Sequence, residues 1–133
     1  MKTDIQNRKD IQKVVNSFYQ KLLSNKEFEH LFIKVAEIDV LTHIDIIIDF
    51  WESILFQVGK YKRDLIDKHL ALNHLHRLNE KHFEEWLQLF NESVDELYEG
   101  DKAKKAKDQA FSLAKIIRLK IDDLEKKRLE FNN

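Results

Sequence analysis

Ile11, Val14, Val15, Phe18 and Leu22 recur at intervals of three and four, which places them on one stripe of a helix from about Asp10 to Leu23. Tyr19 falls inside that stripe, between Val15 and Leu22, so its ring is expected to face the interior. Ser24-Asn25-Lys26-Glu27 has the form of a capping box and predicts a short helix through Phe28, Leu31 and Phe32. Thr42 and Asp45 fit a further cap, opening a helix from about His43 to Val58. On it His43, Ile47, Phe50, Trp51, Ile54 and Val58 share a face opposite Asp45, Asp49 and Glu52. Gly59 is the expected end of that helix. Leu65, Ile66, His69 and Leu72 suggest one or two helical turns, followed by a loop with His74 and His76. Asn79 is placed to cap a helix whose inner face is Phe83, Trp86, Phe90, Val94 and Leu97. After Gly100, a last helix carries Ala103, Ala106, Ala110, Ala114, Ile117, Ile121 and Leu124 on one face.

Composition supports the same picture. The 133 residues include no proline and two glycines, so the chain lacks the residues that most often interrupt helices. An all-α fold in a single domain spanning 1–133 is expected, with frayed tails at 1–9 and from about 126. Hydrophobic residues at 43% and charged residues at 35% describe a globular chain, not a disordered one. The net charge of -1 argues against a general nucleic-acid or membrane-surface partner. Met1 to Asp10 lacks an apolar core of the signal type, and the longest aliphatic run is Ile46-Ile47-Ile48, so neither a secretory signal nor a membrane span is expected. A cytoplasmic location and a monomeric state are the further expectations. The absence of cysteine removes disulfides, thiolate metal sites and cysteine nucleophiles.

Two histidines on apolar faces, His43 and His69, call for an explanation. A buried neutral imidazole needs partners for its ring nitrogens. One such residue is ordinarily a core histidine bonded to a carbonyl. Two of them, with inward Tyr19 and Trp86, make a polar set richer than a core usually holds. A zinc site built from His69, His74, His76 and His82 is disfavoured, because the spacing matches no common pattern. Glu84-Glu85 and Asp122-Asp123 point apart on their helices, and no glycine-rich phosphate loop or nucleophile elbow is present. A flat apolar cofactor with one axial imidazole accommodates the set better. Haem lies between helices with an axial histidine on one side and leaves the other side for hydrogen-bond donors.

Phe18-Tyr19, Leu31-Phe32, His43 with Phe50-Trp51 seven residues on, Lys68-His69-Leu70, and the run from His82 to Phe90 occur in an order and spacing that resemble the group III truncated haemoglobins. The resemblance runs from about Ile11 to Ile121, and the chain also lacks the Gly-Gly breaks of groups I and II. It implies a globin-like helical sandwich around haem b, with His69 as the proximal iron ligand. Tyr19, His43 and Trp86 would be the distal ligand-binding residues. Phe32 would pack on the haem face, and Ile47 would line the distal wall. Phe50, Leu65, Ile66 and Phe90 would complete the haem contacts. The resemblance further implies binding of oxygen, NO or CO, NO- or peroxide-directed redox chemistry, and an unidentified reductase as partner. Where the family often has Gly or Pro before the proximal histidine and a proline before the next helix, this chain has neither. His74 is therefore a competing ligand, with His69 preferred. The alternative of a different class is a haem-free helical interaction module, in which the histidines are structural and the charged last helix, Asp101 to Glu130, meets a partner.

Overall fold

A computed structural model describes residues 2–35, 39–58, 68–69, 72–73 and 78–131. Every regular element among them is helical: α1 (Arg8–Ser24), α2 (Lys26–Glu29), a π-helical turn (His30–Val35), α3 (Val40–Phe56), α4 (Glu80–Leu97) and α5 (Asp101–Phe131). Residues 68–69 and 72–73 are helical as well. The all-α class read from the periodicity is the one observed. Helix α1 is the hinge of the packing: it lies against both α3 and α4, while α5 closes on α4 and touches α3.

Local chemistry explains each boundary. The Asn7 side chain accepts from the Asp10 amide at 3.0 Å, so α1 starts before Asp10. It buries Ile11, Val14, Val15, Phe18, Tyr19 and Leu22, the expected stripe with the expected inward tyrosine. The cap of α2 is Asn25, whose Oδ1 accepts from the Glu27 and Phe28 amides; Ser24, expected as the cap, turns its hydroxyl back to the Gln20 carbonyl. The chain then widens into the π-helical turn instead of continuing as an ordinary helix through Phe32. Such turns are rare and concentrate at functional sites.

Helix α3 starts at Val40, ahead of the Thr42 and Asp45 caps that the sequence suggests. Its N-cap is Asp39, which spends its carboxylate on the Thr42 hydroxyl at 3.1 Å. It ends at Phe56, with Gln57 in the left-handed conformation (φ 58°) as its C-cap; Gly59, the expected end, lies outside the described residues. The cap of α4 is as expected and reciprocal: Asn79 Oδ1 accepts from the His82 amide, and His82 Nδ1 accepts from the Asn79 amide. Leu97 is exposed rather than inward, and Tyr98 closes the end of α4 in its place.

The alanines of α5 are buried, which lets the backbone of this helix approach α4 closely. Leu124 is 46% exposed because α5 runs on past the core, remaining helical to Phe131 instead of fraying from about 126. The opposite tail is not loose either. Ile5 is buried, Thr3 O accepts from the Glu99 amide, and the Asp4 carboxylate accepts from the Lys102 and Ala103 amides at 2.9 Å each, capping α5. Burial alone would raise the Asp4 pKa, but the amides of Lys102, Ala103 and Ile5 outweigh it and leave the carboxyl below its ordinary value. Gly100 makes this seat possible: at φ +148°, a Cβ on it would lie 2.5 Å from Asp4 Cγ.

Candidate functional site

Tyr19, Phe32 and His43 come from three different elements and meet. The stripe of α1 turns Tyr19 inward, the π-helical turn presents Phe32, and the first turn of α3 supplies His43. Their rings lie edge to face at 5.8 Å (Tyr19–Phe32), 5.4 Å (Tyr19–His43) and 5.6 Å (Phe32–His43). The Tyr19 hydroxyl and His43 Nε2 are 2.8 Å apart, a hydrogen bond.

Both members of that pair are neutral near pH 7. Burial pushes the Tyr19 hydroxyl well above the usual tyrosine range. Burial also lowers the pKa of His43 to about 4, with His69 and then Lys68 adding positive charge against it. A neutral pair has two proton arrangements. Either Tyr19 donates to Nε2, or a protonated Nε2 donates to the phenol oxygen and leaves the hydroxyl proton to another acceptor. Only the second makes Tyr19 a donor to a ligand.

Trp86 belongs to the same aromatic system through Phe18, which lies 5.2 Å from Tyr19, 5.7 Å from Trp86 and 5.4 Å from Phe90. Phe90 is enclosed, its ring parallel to Trp51 at 4.8 Å and to Trp86 at 6.0 Å. Trp86 is half-buried, and its indole N–H meets no acceptor among the described residues. Phe50 is buried against Trp51 at 5.2 Å.

Helix α3 has two apolar faces. Ile48, Trp51 and Leu55 are buried in the core, whereas His43, Ile47 and Ile54, spaced by whole turns, are only half-buried. The expected single stripe is thus divided, and Ile48 and Leu55 were missing from it. A part-covered apolar row ending in an imidazole fits a flat apolar macrocycle such as haem better than it fits water. His69 is half-buried and close enough for its charge to bear on His43. The residues present fit the group. Leu65, Ile66, His74 and His76 lie outside the described residues.

His82, a member of the disfavoured zinc set, is already committed. Its Nδ1 serves the α4 cap, and its Nε2 bonds Glu27 at 2.5 Å, tying α4 to α2. Two participants carried no role in the sequence reading. Phe18 is the hub of the rings, and its signals were its place on the α1 stripe and its adjacency to Tyr19. Lys68 places a cation near His43, and its signal was adjacency to His69.

The chain matches no family model. It is 31% identical over 101 residues to the group 3 truncated hemoglobin ctb of Campylobacter jejuni, a match covering 74% of this chain and 77% of that protein. The crystal structure of a group III truncated hemoglobin from Campylobacter jejuni superposes with a TM-score of 0.79 at 27% identity, covering 91% of this chain and 95% of that one. Helical order, ring cluster and likeness agree, and the chain belongs to the group III truncated haemoglobins.

Proposed function

We propose that this globin holds haem b non-covalently on His69 and reversibly binds diatomic ligands, oxygen, NO or CO, on the side of Tyr19, His43 and Trp86. The observation that carries the reading is the 2.8 Å Tyr19–His43 pair beside Phe32, with His69 acting on His43 from within electrostatic range. With no cysteine in the chain, thioether attachment is excluded. When bound, haem would supply the iron at which a diatomic ligand is held.

The chain's own residues have definable tasks. Tyr19 stays protonated and offers its hydroxyl once His43 donates from Nε2. Trp86 offers an uncommitted indole N–H. Phe32, Ile47 and Phe50 contribute apolar walls, and Phe90 stiffens Trp86 from behind by stacking. Several donors around one ligand favour retention over release, so the reading favours NO- or peroxide-directed redox chemistry, with an unidentified reductase, over bulk oxygen transport. A comparison of oxygen dissociation and NO-dioxygenation rates on the haem-reconstituted protein tests it. Slow dissociation with rapid NO turnover supports the redox role. Fast dissociation with no NO turnover contradicts it.

A further inference from the structure

Three polar side chains are buried among the described residues: Asn73, His82 and Ser93. Ser93 returns its hydroxyl to the Leu89 carbonyl within α4, and His82 is bound into the α4 cap. Asn73 instead reaches across the fold. Its Oδ1 accepts from the Leu78 amide at 2.8 Å, and its Nδ2 donates to Glu125 Oε1 at 3.3 Å. One carboxamide therefore joins the helical pair 72–73 to the root of α4 and to α5.

Burying a carboxamide costs more than burying an aliphatic side chain unless its hydrogen bonds return something. Here they return position. Asn73 follows His69 by four positions in the sequence. No proline stands in the chain to restrict this stretch, and the two Asn73 bonds are side-chain anchors for it among the described residues. Leu72 adds packing against the core, which holds the segment down without fixing its register.

We infer that Asn73 is the positioning residue of the proximal side. Its carboxamide clasps the segment bearing His69 to Leu78 and Glu125, and so sets the height and tilt at which the His69 imidazole meets iron. This rests on the assignment of His69 as the iron ligand. The same clasp secures the approach to α4, the helix that carries Trp86, so both sides of the site share one anchor.

The test uses haem-reconstituted, reduced, ligand-free protein. The readouts are the iron–histidine stretching band by resonance Raman and the rate of haem transfer to excess apoglobin. Asn73→Ala removes both bonds and is expected to shift or broaden the band and to speed haem transfer about fivefold or more. Asn73→Asp keeps the acceptor for Leu78 but sets a carboxylate against Glu125, so it should fall between Asn73→Ala and the wild type. Adding Glu125→Gln restores a donor–acceptor pair with its polarity reversed and should return the band towards its original position. A merely structural role would lower the melting temperature of Asn73→Ala and leave band and transfer rate unchanged, and that result overturns the inference. If Asn73→Ala does not fold, identical bands in Asn73→Asp and its Glu125→Gln double variant overturn it equally. A band absent from the wild type, or surviving in His69→Ala, refutes the ligand assignment and the clasp with it. A band lost with His69 yet indifferent to Asn73 and Glu125 refutes the clasp alone.

Discussion

Replacing Tyr19 with phenylalanine isolates one hydroxyl. Phe18 at 5.2 Å and Phe32 at 5.8 Å hold the ring edge to face, so the phenyl of Tyr19→Phe keeps its place and the core keeps its volume. What disappears is the donor 2.8 Å from His43 Nε2. A ligand with partial negative charge accepts a partly charge-assisted hydrogen bond, which contributes on the order of 1.5–3 kcal/mol. The bond to His43 need not be given up in exchange, because His43 is neutral and can donate from Nε2 while the hydroxyl proton turns to the ligand. The full contribution is then lost on substitution, and ~1.4 kcal/mol is a factor of ten. Oxygen dissociation, followed by stopped flow against excess CO, should therefore accelerate about tenfold or more. CO dissociation should change much less, since bound CO is less polar. Trp86 is the other available donor, so Trp86→Phe combined with Tyr19→Phe should be non-additive. Wild-type oxygen release in both single variants and in the double variant would refute the assignment of this side as distal.

Three further outcomes follow from other parts of the fold. His69→Ala should abolish or strongly weaken haem ligation, with exogenous imidazole restoring it, whereas His74→Ala should leave the visible spectrum nearly unchanged; the reverse pattern would move the proximal role to His74. Because burial, His69 and Lys68 lower the His43 pKa from 6.5 to about 4, the unfolded chain takes up a proton between those values that the folded chain refuses. Stability should thus fall as pH drops from 6.5 to 4, by ~3 kcal/mol at most from this group, and denaturant midpoints of His43→Leu should lose that part of the pH slope. Gly100→Ala combines left-handed strain with a Cβ 2.5 Å from Asp4 Cγ, and should cost at least ~2 kcal/mol in thermal unfolding, with the N-terminal seat released. An unchanged melting temperature would show that Asp4 does not hold the start of α5.

The legible and illegible parts of this molecule divide by range. Periodicity located α1, α4 and α5 because each buries one continuous stripe, and the Asn79 cap was readable because its partner His82 stands three residues away. Helix α3 was harder. It has two apolar faces, and a wheel drawn around His43 selects the half-buried row while missing Ile48 and Leu55 in the core. The inward direction of Tyr19 was predictable from its stripe, but not its partner, since His43 is 24 positions away. The seating of Asp4 on α5 joins residues 99 positions apart, and no local signal carries that. Competing local chemistry also misled: Ser24 satisfied a carbonyl one turn back, leaving Asn25 to cap α2. The roles of Tyr19, His43, His69 and Trp86 are what the resemblance implies; the structure adds the Tyr19–His43 contact and the aromatic packing around Trp86.

A titration of the purified, haem-free chain with haemin, followed by visible absorption and thermal melting on the same samples, is the decisive test of whether the chain holds haem. Haem binding by the folded chain predicts a sharp equivalence point at one haem per chain, an intense band near the violet edge that acid-acetone removes completely, and a melting temperature that rises with occupancy. No equivalence point, with a melting temperature indifferent to haemin, would contradict it.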